Sequence, residues 1–185
     1  MKIQNSLLAV FTVITTMTFS TGCNEKKHHN TPVLKDSVFA YTSLGLALCN
    51  GGKSINYDVQ NLLEDSCTRF GIDSSKPVII LRYSRYSCEP CVEFAATEFE
   101  RFVSKNGFKQ YLTIVSDFQE KELPQKQHLI NLRKKDLGIP MEKSDIPYIC
   151  IVNEGVINSM IMPDREYHKY LDFYFKSIKS LSLIE

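Results

Sequence analysis

Neither sign of charge is in excess. The chain has 22 Lys and Arg against 21 Asp and Glu, a net of +1, so no basic footprint is available and nucleic acid is not an expected partner. Long hydrophobic runs are missing too. The most apolar stretch, Leu7 to Ile14 continuing through Thr15 to Phe19, is short and threonine-rich for a transmembrane span. There is no internal repeat, no glycine-rich loop that would cradle a phosphate, and no tryptophan anywhere. Cys88 and Cys91 are the one close pair of cysteines, and His28-His29 sit in a polar stretch. A structural zinc ion wants a second pair of ligands, so neither metal nor cofactor is expected.

What is present suits a single globular domain: 185 residues, 43% of them hydrophobic, enough to build a real core. Lys2 and the apolar stretch after it read as a targeting segment. It ends in Ser20-Thr21-Gly22-Cys23, which resembles the lipobox of bacterial lipoproteins, although Ser20 stands where a Leu is usual. The expected organisation is a signal peptide over 1–22, a lipidated Cys23, a polar tether over 23–35 and a folded domain over 36–185. A lipid anchor would hold the chain in the cell envelope, facing the periplasm.

The domain is organised around Cys88-Glu89-Pro90-Cys91. Pro77 to Tyr83 is an apolar, β-branched run of strand length, the pattern of a strand buried on both faces. Val92, Ala95, Phe99, Phe102 and Val103 recur at helical spacing, and Asn106-Gly107 closes the helix. The pair therefore falls on a strand-to-helix turn. Free backbone N–H groups and the helix dipole at that position stabilise a thiolate, the nucleophile of disulfide exchange. Cys88 is the candidate nucleophile and Cys91 the resolving thiol. Pro90 suits a first turn, and Glu89 adds a charge that opposes ionisation of its neighbour. A structural disulfide without turnover, or two inert thiols, are the plainer alternatives.

The remaining elements follow in order. Asn50-Gly51-Gly52 reads as a hairpin turn between Leu44–Leu48 and Ser54–Tyr57. Asp58 is the expected cap of a short helix carrying Val59, Leu62 and Leu63 and ending near Gly71. Cys49 and Cys67 either pair in an oxidising compartment or remain two buried thiols. Tyr111 to Val115 is a strand, Glu120 to Leu137 a charged helix, and Asp145 to Val152 a strand opening at Pro147. Asn153-Glu154-Gly155 turns the chain into a partner strand over Val156–Met162. A last helix, capped by Asp164, carries the stripe Tyr167, Tyr170, Leu171, Tyr174, Phe175 and Ile178. Cys150 is read as a small core residue, with a third thiol near the site as the alternative.

The order predicts an α/β sandwich, a central mixed sheet flanked by helices. With CxxC after a buried strand and Ile146-Pro147 opening a later one, it resembles the thioredoxin-like family over roughly 77–180. With the N-terminal extension and lipobox it is most similar to the membrane-tethered TlpA/ResA-like group of the bacterial envelope. That resemblance implies a cis proline at Pro147 beside the cysteines. It also implies that Ile146 pairs through its backbone with an incoming peptide strand. Ser87 replaces the Trp that precedes the first Cys in thioredoxins. The acid that the resemblance implies for a proton relay is missing, since Arg82 stands where thioredoxins carry a buried acid and Ser84 where ResA-like proteins carry Glu. Arg82 is expected to reach solvent at the strand end, because a buried guanidinium needs a partner. Asp117 and Asp145 are the candidate replacement acids.

The function implied is thiol–disulfide exchange with protein disulfides or dithiols, in the reductive direction that the resembling group favours. A peroxiredoxin-like peroxidase is one alternative, although Arg85 stands where that family has Thr. A lipid-anchored binding module stapled by its CxxC is another.

Overall fold

The computed structural model describes residues 49–180, together with Ala40, Leu44, Gly45 and Ala47 ahead of them. The lipobox with Cys23 and the tether lie outside the described residues. The protein is an α/β structure. Five strands form one mixed sheet: β1 (Val78–Ser84), β2 (Tyr111–Ser116), β3 (Leu129–Asn131), β4 (Tyr148–Asn153) and β5 (Val156–Ile161). Their order across the sheet is β3-β2-β1-β4-β5. β1 runs parallel to β2, and β2 to β3, whereas β4 is antiparallel to both β1 and β5. The helices are α1 (Tyr57–Phe70), α2 (Glu89–Asn106) and α3 (His168–Ser180).

β1 is the centre of the sheet because its sequence leaves it no wet face. Six of its seven residues are buried. Alternation sends Val78 and Ile80 to one side, where α1 contributes Val59, Leu63 and Cys67. Ile79, Leu81 and Tyr83 point to the other, against Phe99 and Phe102 of α2 and Leu171 and Phe175 of α3. The rings of Phe102 and Phe175 stack at 4.0 Å and close the contact between the two helices. Leu171, Phe175 and Ile178 of the last helix are core, with Tyr170 and Tyr174 packed against it, as the spacing predicts, whereas Tyr167 lies ahead of the helix and outside the core.

Local signals account for most boundaries. Gly107 stops α2 at φ 65°, and its N–H and that of Phe108 return to the last carbonyls, the geometry that glycine adopts without a Cβ penalty. Glu154 and Gly155 both take positive φ (50° and 72°) between β4 and β5, the tight primed hairpin turn expected of the Asn-Glu-Gly tripeptide. Asp164 accepts from the N–H groups of Glu166 and Tyr167 and caps the turn that leads into α3.

Three expectations are corrected. The described residues ahead of Gly51 are helical, not a hairpin strand, and Ser54 makes an isolated antiparallel bridge to Val156 instead. The cap of α1 is Asn56, whose side chain accepts from the Asp58 N–H at 3.1 Å. The charged helix over 120–137 does not form. Pro124 removes a donor from its first turns, only a 3₁₀ turn survives at Glu120–Glu122, and Leu129–Asn131 extends the sheet as an edge strand. Ile130 and Leu132 then enter the α1-side core while Leu129 packs on the opposite side. That is the two-residue period of a strand. Among the described residues, no helix is long and apolar enough to cross a membrane.

Candidate functional site

β1 delivers the chain to a tight corner at its carboxyl end. The Ser87 hydroxyl accepts from the Ser84 N–H at 3.0 Å, and the Ser84 hydroxyl accepts from the Tyr86 N–H at 3.1 Å. These bonds fold residues 84–87 back on themselves. Cys88 then becomes the N-cap of α2, with its carbonyl accepting the first helical bond from Val92 at 2.9 Å. Pro90 sits in the first turn, where its missing N–H leaves no partner unsatisfied.

Cys88 and Cys91 form a disulfide, with their Cα atoms 5.2 Å apart. Cys88 is exposed and Cys91 half-buried. The asymmetry suits an outer sulfur that meets a partner and an inner one that resolves the adduct. Cys88 caps and Cys91 lies in the first turn of an 18-residue helix, where unpaired N–H groups favour a negative sulfur once the bond opens.

Across the corner lies the segment entering β4. Asp145 takes the left-handed conformation at φ 51°, and its carboxylate accepts from the Ser84 hydroxyl at 3.2 Å. Ile146 follows, 43% exposed, and then Pro147. Every peptide bond among the described residues is trans, including the one before Pro147. The cis bond implied by resemblance is thus absent, and Pro147 immediately precedes β4, a position that tolerates proline because no ladder donor is needed there.

Between these segments opens a polar cleft of about 140 Å³ at the carboxyl ends of the parallel strands, where α/β sheets commonly place their sites. Ser84, Ser87, Asp117, Lys134, Asp145 and Ile146 are among its lining residues. At its base lies Arg82, which does not reach solvent. Arg82 is 3% exposed and binds Glu142 through two bonds, Nε to Oε1 at 3.1 Å and Nη2 to Oε2 at 2.6 Å. It also donates to the Ser116 hydroxyl at 3.0 Å and to the Tyr83 carbonyl. The Tyr148 hydroxyl donates to Glu142, and Ser116 donates to Asp117 at 2.8 Å. The guanidinium tolerates burial because each of its three nitrogens meets an acceptor and Glu142 balances its charge. Burial and the adjacent Glu142 charge raise the Tyr148 hydroxyl well above its usual pKa, which keeps it a donor.

The other cysteines stand apart from this chemistry. Cys49 and Cys67 are free thiols, Cys49 exposed and Cys67 buried, so of the two alternatives the pairing is not formed and only Cys67 is a buried thiol. Cys67 faces the core from α1, and burial pushes its thiol up to about 11. Cys150 is fully buried on β4. Burial, and then the Glu142 charge, raise its thiol far above the ordinary range, so it is a core residue and not a third exchange partner.

No protein-family model matches the chain, and no curated protein matches it either. The site therefore rests on its own geometry. Glu142, Tyr148 and the Ser84–Asp145 bond were not foreseen from sequence. Arg82 and Glu142 are 60 residues apart, and only the return of β4 beside β1 brings them together. The one available signal was the Arg itself, an ionised residue inside an otherwise apolar strand.

Proposed function

We propose that the protein is a thioredoxin-like thiol–disulfide oxidoreductase whose working residues are Cys88 and Cys91. The observation that carries this reading is the exposed Cys88, disulfide-bonded to a half-buried Cys91 at the N-terminus of a long helix. A staple has no need to present one sulfur to solvent on the dipole-stabilised turn.

In the reductive direction the Cys88 thiolate attacks one sulfur of a partner disulfide. A mixed disulfide forms, and the first partner sulfur leaves as a thiolate that takes a proton. The Cys91 thiolate then attacks the Cys88 sulfur and releases the second partner thiol. The partner gains two electrons, and the Cys88–Cys91 disulfide is regenerated. An external dithiol reductant must restore the pair for another cycle. Ile146 and Pro147, beside the corner, are the proposed docking edge for the partner. Cys23 is the proposed lipid attachment, placing the domain at an envelope membrane on the periplasmic side.

Two measurements test the reading. The C91A variant should accumulate a mixed disulfide through Cys88, where a stapled binding module would only lose stability. The reduction potential of the pair sets the direction. A value near that of thioredoxin, about −270 mV, supports a reductase, and one near −120 mV an oxidant. If the pair shows no reversible two-electron couple, the proposal fails.

A further inference from the structure

α2 and α3 meet in a surface groove of about 230 Å³ bordered by Arg101, Lys105, Asp172, Lys176 and Lys179, with the stacked rings of Phe102 and Phe175 beneath. The neighbouring acids are already committed. Glu98 and Asp172 each pair with both Arg101 and His168. Lys179 donates to the neutral Asn106 at 3.1 Å. Among the described residues, no carboxylate pairs with Lys105, Lys176 or Lys179. Helix dipoles account for Lys105 and Lys179, which stand in the last turns of α2 and α3. They do not account for Lys176.

They account still less for Phe173. This side chain is 70% exposed, in contrast to the buried Leu171 and Phe175 on the core face of the same helix. Lys169 and Lys176 flank it at spacings of four and three residues, which places all three on one strip of α3. A large apolar ring ringed by cations on the outer face of a helix is the pattern of a surface that settles into a charged lipid interface.

We propose that this α2–α3 face docks on an anionic phospholipid surface. Lys105, Lys176 and Lys179 meet the headgroup phosphates, and Phe173 enters the interfacial layer. The inference rests on the reading of Cys23 as a lipidated residue, which brings the domain to a membrane in the first place. Each lysine held near an anionic surface is worth about fivefold in partitioning, so three add on the order of a hundredfold. The arrangement has a consequence for the redox site. Lys105 lies fourteen residues after Cys91 on α2, about 20 Å along the helix at its usual rise. Docking through this face leaves the disulfide at the opposite end of α2 from Lys105, clear of the proposed contact residues.

The absence of tryptophan makes the test direct. The full lipidated chain, carrying F173W as its sole indole, is reconstituted in vesicles with brominated acyl chains. One set is rich in phosphatidylglycerol and the other is phosphatidylcholine alone. A second variant, Y86W, places the reporter beside Cys88. The F173W emission should shift to the blue and be quenched severalfold in anionic vesicles only. Y86W should remain unquenched in both, and K105E/K176E/K179E should abolish the F173W quenching. If the chain stays on the vesicles but F173W is unquenched, the anchor stands and the docking face is overturned, leaving the face to an acidic protein. Equal quenching in both vesicle types, insensitive to charge reversal, also overturns it. A chain that leaves both vesicle types overturns the anchor, and the docking face with it.

Discussion

The carboxylate of Asp145 accepts a hydrogen bond from the Ser84 hydroxyl at 3.2 Å, and this single bond ties the corner that presents Cys88 to the segment that presents Ile146. Ser84 ends the central strand, and Asp145 stands two residues before Pro147. The contact, beside the β1–β4 pairing, joins the corner to the proposed docking edge.

Breaking that contact should loosen the corner. D145A removes the acceptor and places a Cβ residue with no local hydrogen bond at φ 51°, so a loss of about 1 kcal/mol is expected. D145N keeps an acceptor and tolerates the left-handed backbone, and should remain close to wild type. Urea denaturation of D145A, S84A and the double variant gives the coupling, expected at about 1 kcal/mol. Strictly additive losses would show that the bond does not join the two segments.

Arg82 and Glu142, 3% and 6% exposed at their side chains, form a buried ion pair. R82M strands a carboxylate in the core and should cost about 3–5 kcal/mol. The double variant R82M/E142L removes both charges and should recover most of that loss. Chemical denaturation of the three proteins decides the matter. If R82M is as stable as wild type, then Glu142 has found water or another donor, and the buried pair is not what holds the base of the cleft.

Thiol chemistry should follow exposure. After mild reduction in a C49S background, iodoacetamide near pH 7 should modify Cys88 first and Cys91 more slowly. Cys67, with its thiol pushed up to about 11, and the fully buried Cys150 should resist until the protein unfolds. Peptide mass spectrometry over time reads the order. Faster labelling of Cys91 than of Cys88 would reverse the assigned roles.

Acid should weaken the clasp between α2 and α3. Burial opposes ionisation of Glu98, but hydrogen bonds from His168 and Arg101, together with their positive charges, outweigh it and hold the carboxyl below its usual pKa. A carboxyl depressed by folding stabilises the folded state above its unfolded pKa, about 4.3 for Glu. That contribution is lost as pH falls through the lower folded value. Thermal denaturation from pH 6 to pH 3 should therefore fall less steeply in E98Q than in wild type. Identical slopes would remove Glu98 from the acid response.

The parts legible in sequence were those with a local cause. The buried β1, the helix with Pro90 in its first turn and Gly107 closing it, the Glu154-Gly155 turn and the stripe from Leu171 to Ile178 each follow from residues within a few positions of one another. The illegible parts depended on distant ones. Leu129, Ile130 and Leu132 fit a helix and a strand equally well by spacing, and only the free edge of β2 selected the strand. Whether Cys49 and Cys67 pair stayed open in the sequence because nothing local says which way Cys67 faces. The trans bond before Pro147 was likewise beyond local reading, since the chemistry of an X-Pro bond permits either isomer.

Sequence by itself determined that a strand buried on both faces runs into a helix whose first turn carries two cysteines, because hydrophobic period and capping act over a few residues. Only the tertiary structure decided what surrounds them. Sheet order set β4 beside β1, which gave Arg82 its carboxylate, Ser84 its acceptor, and Cys150 its burial. These are pairings across 60 residues or more of chain. No local propensity encodes them, because their free energy exists only once the strands have met.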